Sequence, residues 1–156
     1  DPHLGTRDPK KKDPLRIILD SHLRLPLKAQ VLRDNNVLII TSTLAPQNKL
    51  AWLEKKNFPM IVFKKEKIPL KKLLQELKNR EIISLLVEGG GETLGNFVDE
   101  KLIDKVYTFH APIIIGGAKA IGAVGGHGAS TIKQALGLTR VEFKQFGDNL
   151  VTIGYP

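Results

Sequence analysis

Residues 84–95 read Ser-Leu-Leu-Val-Glu-Gly-Gly-Gly-Glu-Thr-Leu-Gly, and this stretch is the most informative about both fold and ligand. The apolar run Ile82–Val87 predicts a buried strand. Three glycines follow it, and Glu92–Asp99 then has helical character. A strand that delivers glycines to the N-terminus of a helix lets the backbone approach an anion closely. The stretch therefore predicts an α/β protein with a phosphate-binding turn.

A tight strand-to-helix turn without a ligand is the alternative interpretation of the same glycines. Their spacing is neither G-x-G-x-x-G nor that of a P-loop, which needs Gly-Lys-Ser/Thr. Glu88 favours a ligand, because a carboxylate buried without a partner at a strand end is costly. It could accept hydrogen bonds from ligand hydroxyls, such as those of a ribose. The competing possibility is that Glu88 accepts a loop N–H or simply faces water.

Strands and helices alternate along the rest of the chain. The other predicted strands are Leu15–Leu19, Val37–Thr41, Met60–Phe63, Lys105–Ala111, Arg140–Phe146 and Asn149–Tyr155, and the other predicted helices are Pro46–Lys56 and Pro69–Asn79. Alternation predicts a mostly parallel sheet covered on both faces, with the last two strands forming an antiparallel hairpin at its edge. Ligands of such sheets bind at the carboxyl ends of strands, so the loops after Leu19, Thr41 and Val87 are expected around the site.

Composition narrows the class of protein further. The 156 residues correspond to one domain, and the absence of cysteine excludes disulfides, thiolate metal sites and a cysteine nucleophile. No apolar run is long enough for a membrane span and no signal peptide is recognisable, so a cytoplasmic protein is expected. The four histidines lack metal-ligand spacing, so no metal site is expected.

The net charge of +8 is typical of a protein that binds nucleic acid, an anionic membrane or a phosphorylated small molecule. Most of this charge is expected to be solvated surface, because the lysines are scattered and lysine is usually exposed. Aromatic residues are only 6%, which argues against a base-stacking surface for nucleic acid.

Four segments carry motifs that occur together in one family. They are Asp1-Pro-His-Leu-Gly-Thr-Arg7, Pro14-Leu-Arg-Ile-Ile-Leu-Asp-Ser21, Val87-Glu-Gly-Gly-Gly91, and Leu102-Ile-Asp-Lys-Val106 followed by His110-Ala-Pro-Ile-Ile-Ile-Gly-Gly117. In this order they resemble the reductase domain of the bifunctional riboflavin biosynthesis deaminase–reductase. Any one of these motifs is weak evidence, but four in order across the chain make a specific match.

The resemblance implies a dihydrofolate-reductase-like fold with three α-β-α layers. It also implies an oxidoreductase that uses NADPH to reduce 5-amino-6-(5-phosphoribosylamino)uracil, whose ribose ring opens to a ribityl chain. The hydride is expected to attack C1 of the ribose in its ring-opened aldehyde or imine form. Family members commonly form homodimers through this domain, so a homodimer is expected.

Roles follow from the resemblance position by position. Arg7 is expected to bind the substrate phosphate, since a guanidinium matches phosphate geometry. Leu4 is expected to lie against the substrate, and Glu88 to hold the ribose hydroxyls. The residues expected to contact the cofactor are Asp1, Ser21, Gly90, Gly91, Glu92, Thr93, Leu94, Gly95 and Asn96. No residue is assigned to proton transfer.

The sequence departs from the family pattern at several places. Gly5 stands where the family usually has Thr, and Glu92 is inserted before Thr93. A carboxylate there repels a pyrophosphate unless it points away or caps the helix. The family's first strand, with its Lys and Ser-Leu-Asp-Gly, and the zinc motifs of the deaminase are absent. Residues 1–156 are therefore expected to be a reductase domain lacking its N-terminal strand and the deaminase domain.

Two other functions remain open at this point. One is a different NADPH reductase with the same fold. The other is a non-catalytic remnant, or a basic binding module, whose surface takes up RNA or other anionic partners; the lysine run Lys10–Lys12 favours this interpretation weakly.

Overall fold

The computed structural model describes residues 5, 6, 8 and 10–156. The chain divides into two compact units, residues 1–73 and 74–156. Nine helices and strands are named in the described residues: β1 Arg16–Leu19, β2 Val37–Ser42, α1 Gln47–Lys55, β3 Met60–Phe63, α2 Leu70–Asn79, α3 Gly91–Asp99, β4 Val106–His110, β5 Thr139–Phe146 and β6 Asn149–Tyr155. The protein is thus α/β, as predicted.

The first unit contains a parallel sheet in the order β1-β2-β3. Ile39 of the central strand pairs with Ile18 on one side and with Met60 on the other. All six residues of β2 are buried. A parallel strand covered on both faces reads as a continuous apolar run, which is why Val37–Thr41 was recognisable in the sequence.

The core of the first unit forms where α1 and the loops pack on β2. Its buried members are Leu23, Leu32, Val37, Ile39, Ala45, Leu53 and Phe58. Trp52 packs against this cluster and stacks on Phe58, with ring centroids 6.1 Å apart and an interplanar angle of 16°. The lone tryptophan therefore has a packing role.

Helix α2, which was predicted over Pro69–Asn79, carries leucines along one face. Leu70, Leu73 and Leu77 are buried, whereas Lys71 and Lys72 are exposed. The apolar stripe at i, i+3 and i+7 is the feature that separates this helix from the surrounding loops. No helix in the described part of the chain is long and apolar enough to cross a membrane.

All three α-helices end with a residue in the left-handed conformation. These residues are Asn57, Glu81 and Lys101, with φ of 57°, 62° and 54°. After each one, a backbone N–H bonds back to a carbonyl five residues earlier, as from Leu102 to Phe97 at 3.0 Å. This closure satisfies the last carbonyls of the helix, but glycine adopts the left-handed conformation at lower cost than Glu or Lys.

The second unit contains an antiparallel sheet in the order β4-β6-β5. The predicted hairpin is present, and Gly147 has φ of +57°, which suits the first central position of a type II′ turn. β6 is the central strand of this sheet, and β4 and β5 lie at its two edges. The prediction of a mostly parallel sheet is therefore corrected: three strands are parallel and three antiparallel, because β4 pairs with the hairpin.

The strand predicted over Ile82–Val87 is absent, and this prediction was wrong. Residues 82–90 have no regular secondary structure. Ile83 is 95% exposed and Leu86 is 72% exposed. A strand needs a neighbour to satisfy its backbone N–H and C=O groups, and no strand among the described residues pairs with this run.

Candidate functional site at the N-terminus of helix α3

Helix α3 begins with an N-terminus that carries no side-chain cap. Its N-cap is Gly90, with φ of −61° and ψ of 161°. Glycine has no side-chain oxygen to accept the N–H groups of the first turn. Gly90 is exposed, and among the described residues no atom other than those of Gly90 and its chain neighbours lies within 4 Å of the position its Cβ would occupy. The positive end of the helix dipole is thus open to an anion on this side.

Two side chains flank this N-terminus. Thr93 folds back over Gly89, where a Cβ would lie 2.7 Å from the Thr93 Cβ. Glu92 is exposed in the first turn of α3. Its carboxylate complements the helix dipole, but it carries the same sign of charge as a phosphate. Of the two side chains, Thr93 is the one whose hydroxyl can donate a hydrogen bond to an anion.

The opposite flank of the first turn is covered by the chain itself. Gly125 donates its backbone N–H to the carbonyl of Gly91 at 2.7 Å. A Cβ on Gly91 would lie 2.8 Å from the Gly122 carbonyl oxygen, and one on Gly95 would lie 2.2 Å from the Gly125 carbonyl. Gly91 and Gly95 therefore accommodate a neighbouring backbone, which is a use of these glycines that the sequence analysis did not foresee.

Asp99, at the far end of α3, contacts the same glycine-rich segment. Its carboxylate accepts the backbone N–H of His127 at 2.7 Å and that of Gly128 at 3.1 Å. The sequence analysis missed this residue. The signal that could have found it is spacing, because Gly91, Gly95 and Asp99 lie at i, i+4 and i+8 on one face of the helix.

Glu88 is exposed, so the burial that favoured a ligand interpretation is not observed. Its position also lacks the preceding strand on which that argument depended. The Glu88 side chain faces solvent, and its contact with ribose hydroxyls stays a prediction. Glu88 nevertheless lies two residues before the Gly90 N-cap, so it is close in sequence to the open helix end.

Leu94 and Asn96 are half-buried in the body of α3. Leu94 donates its N–H to the Gly90 carbonyl at 3.2 Å, so its amide belongs to the helix and is not available to a ligand. Of the residues predicted to wrap a phosphate, Gly90, Gly91, Glu92 and Thr93 are the ones closest to the open end.

Ser21 lies in the first unit, in the turn after β1. Its carbonyl accepts the hydroxyl of Ser42 at 2.8 Å and that of Thr41 at 3.2 Å. Thr41 also donates to the carbonyl of Asp20 at 2.8 Å. Thr41 and Ser42 are fully buried, and they hold the turn in place from the end of β2. Sequence reasoning missed both, although hydroxyls that end a buried strand are a usable signal.

The same turn is held from a second direction by Lys49 of α1. The Lys49 ammonium donates to the carbonyls of Leu23 and Leu25 at 2.7 and 2.9 Å. The carboxylate of Asp20 accepts the N–H of Leu25 at 2.9 Å. These bonds rigidify the turn that carries Ser21, because each backbone group that they satisfy is fixed by a charged partner.

Asp1, Leu4 and Arg7 lie outside the described residues. The structure therefore brings together Glu88 and the run Gly90–Asn96 in the second unit, and it places Ser21 in the first. No group of three or more potential metal-ligating side chains occurs in the parts of the chain that the structure describes.

A separate groove of about 440 Å³ lies on one face of the antiparallel sheet. It is lined by Lys105, Tyr107, Phe109, Glu142, Lys144, Phe146, Val151 and Ile153. The Lys105 ammonium lies 4.8 Å from the ring centroid of Tyr107 and 5.1 Å from that of Tyr155, and the interactions with these two side chains raise the pKa of Lys105. None of the predicted site residues that the structure describes lines this groove, so it is distinct from the open end of α3.

Comparisons with known proteins agree on one family. The family model described as the RibD C-terminal domain matches residues 1–152. The riboflavin biosynthesis protein RibD of Aquifex aeolicus is 36% identical over 152 residues, which cover 97% of this chain and 41% of that protein. The 2,5-diamino-6-ribosylamino-4(3H)-pyrimidinone 5′-phosphate reductase of the same organism is 35% identical over 153 residues, covering 97% of this chain and 68% of that protein.

A solved structure is similar over most of the chain. RibD of Acinetobacter baumannii superposes with a TM-score of 0.75 at 28% identity, covering 92% of this chain and 38% of that one. The chain thus spans about two fifths of the length of the two RibD proteins (41% and 38%).

Proposed function

Because the chain belongs to the RibD C-terminal domain family, we propose that it is a reductase of riboflavin biosynthesis. The reaction is the NADPH-dependent reduction of the ribose of a 5-phosphoribosylaminopyrimidine to a ribityl chain. The family match over residues 1–152 is the observation that carries this proposal. The sequence identity of 35% to a named pyrimidinone 5′-phosphate reductase supports the same reaction class.

The proposed substrate is 5-amino-6-(5-phosphoribosylamino)uracil. Arg7 would bind its phosphate, Leu4 would lie against it, and Glu88 would hold the ribose hydroxyls. The exposure of Glu88 leaves its carboxylate accessible to a ligand. The 2,5-diamino compound in the name of the Aquifex relative carries the same phosphoribosyl group, so the two candidates differ only on the pyrimidine ring.

The open end of α3 fits the phosphates of a dinucleotide. Gly90 leaves space at the N-cap, and the uncapped first-turn N–H groups suit an anion. Thr93 would add a hydroxyl, and Ser21 and Asp1 would contact the cofactor elsewhere. NADPH, when bound, supplies a hydride to C1 of the ring-opened ribose. The chain's own residues bind and orient the two ligands.

We further propose that the domain adopts the three-layer dihydrofolate-reductase-like arrangement, that it forms a homodimer and that it acts in the cytoplasm. The family resemblance supports all three. The presence of a parallel and an antiparallel sheet is compatible with that arrangement. Size-exclusion chromatography with light scattering tests the dimer directly.

A fluorescence titration with NADPH tests the proposed function. The purified protein is titrated alongside Glu88→Ala and Arg7→Ala, with Lys10→Ala as the control for loss of a nearby positive charge. We expect saturable NADPH binding in all four proteins. Arg7→Ala should weaken only the binding of the phosphorylated substrate. Glu88→Ala should weaken substrate binding and leave NADPH binding unchanged.

Two outcomes would overturn the proposal. The first is the absence of NADPH binding at millimolar concentration. The second is binding that falls steeply with salt and shows no preference among nucleotides, which is the behaviour of a basic binding module. Turnover of the uracil and the 2,5-diamino compounds, compared side by side, identifies the preferred substrate.

A further inference from the structure

The glycine-rich segment 122–128 lies along one face of α3 from its N-terminus to its C-terminus. Gly125 bonds to Gly91 in the first turn. The backbone at Gly125 and Gly126 fills the space beside Gly95. Residues 127 and 128 then reach Asp99. On the helix face at i, i+4 and i+8, two glycines thus form a groove, and the carboxylate of Asp99 lies at its end.

Asp99 is the only side chain among these contacts that supplies a charge. A carboxylate that accepts two backbone N–H groups makes stronger bonds than neutral partners do. Residues 122–128 are otherwise exposed and without regular structure, and four of the seven are glycine. A segment of this composition loses much conformational entropy when it is ordered, so its position depends on the bonds at its two ends.

We propose that Asp99 is a positioning residue for the cofactor site. By holding His127 and Gly128, it keeps residues 122–125 against the first turn of α3, where they cover one flank of the phosphate-binding N–H groups. A segment that is already held in this position excludes water from that flank. NADPH binding then does not carry the entropic cost of ordering the segment. This inference rests on the proposed function, because it assigns the open end of α3 to the cofactor.

The first test compares Asp99→Ala and Asp99→Asn with Glu100→Ala and Glu100→Gln. Glu100 is the next residue, so its variants remove the same charge without touching the segment. We expect Asp99→Ala to raise the Kd and KM for NADPH about tenfold, the effect of losing one to two hydrogen bonds. We expect kcat to change little, and backbone N–H exchange at residues 122–128 to accelerate. The Glu100 variants should match the wild type.

Gly95→Ala provides an independent test that does not depend on charge. Alanine favours the helix over glycine, so α3 itself should be no less stable. Its Cβ would lie 2.2 Å from the Gly125 carbonyl, so the segment must move away. We expect the same rise in Kd for NADPH as in Asp99→Ala. The double variant should bind NADPH no more weakly than the weaker-binding single variant, because both substitutions displace the same segment.

The outcomes separate this inference from the proposed function. If the wild type binds NADPH and both Asp99→Ala and Gly95→Ala bind it equally well, the positioning role is overturned and the reductase proposal stands. If Asp99→Ala accelerates exchange throughout the protein, its role is in general stability and the inference is overturned. If the wild type does not bind NADPH, the proposed function fails and this inference fails with it.

Discussion

The two sheets of this protein differ sharply in how well they are covered. Every residue of β2, the central strand of the parallel sheet, is buried, whereas every residue of β5 in the antiparallel sheet is exposed. Phe109 and Phe143 of the antiparallel sheet are each 68% exposed. Loops and α1 cover the parallel sheet within its own unit, and the described residues supply no equivalent cover for β5.

This difference teaches that stability and the candidate chemistry have different sources in this chain. The first unit has a core of packed aliphatic and aromatic side chains. The candidate cofactor residues in the second unit are held by backbone contacts between glycines and by Asp99. Substitutions that disturb packing should therefore lower stability strongly in the first unit, whereas small changes around α3 should act mainly on ligand binding.

The largest expected effect is in the core of the first unit. Leu53 is fully buried, so Leu53→Ala should lower the free energy of unfolding by about 3 kcal/mol, from lost burial and the cavity left behind. Ile114, which is 97% exposed, is the control, and Ile114→Ala should change little. Urea denaturation followed by circular dichroism measures both. Equal losses would contradict the contrast between the two units.

The next effect concerns two Arg–Asp pairs of the first unit. Arg16 is 7% exposed and pairs with Asp34, whereas Arg24 is 84% exposed and pairs with Asp20. Asp34→Ala leaves a buried guanidinium without its carboxylate, and should cost about 1–2 kcal/mol because Asp34 itself is solvated. Arg24→Ala should cost less than about 0.5 kcal/mol, because Asp20, although only 12% exposed, keeps the N–H of Leu25 as a hydrogen-bond partner. Thermal melts distinguish these values, and a larger loss in Arg24→Ala would refute the burial argument.

A stabilising change is expected where α3 ends. Lys101 has φ of 54°, so Lys101→Gly should raise the free energy of unfolding by about 1 kcal/mol through relief of the left-handed conformation. Lys78→Gly, in the last turn of α2, is the matched change within a helix and should lower it by about 1 kcal/mol. Denaturant titration of both variants should give opposite signs. A loss in Lys101→Gly would show that its side chain has a packing role.

The smallest expected effect is on cofactor affinity. Glu92 stands in the first turn of α3, where its charge opposes that of a phosphate. Glu92→Gln should lower the Kd for NADPH by roughly threefold at low ionic strength, and the gain should shrink as salt screens the charge. Glu100→Gln, at the other end of the helix, is the control. An unchanged Kd at low salt would indicate that Glu92 points away from the bound phosphates.

Local patterns in the sequence were enough to predict most of the helices and strands. The leucine spacing of α2, the apolar run of β2 and the hairpin turn at Gly147 are each encoded within a few residues. The prediction of a strand over residues 82–87 was wrong, because a strand also requires a partner strand. An apolar run does not reveal whether a partner is available. Without that strand, Glu88 is exposed as well.

The sequence by itself determined the α/β class, the order of helices and strands confirmed above, the glycine turn before α3 and the motifs that identify the family. These are properties of short segments read in order. Only the tertiary structure decided that Gly91 and Gly95 accommodate residues 122–128, that Asp99 holds this segment, and that Thr41, Ser42 and Lys49 fix the turn at Ser21. Such contacts join residues 20 to 34 positions apart, and their geometry depends on where the folded backbone brings donors and acceptors together.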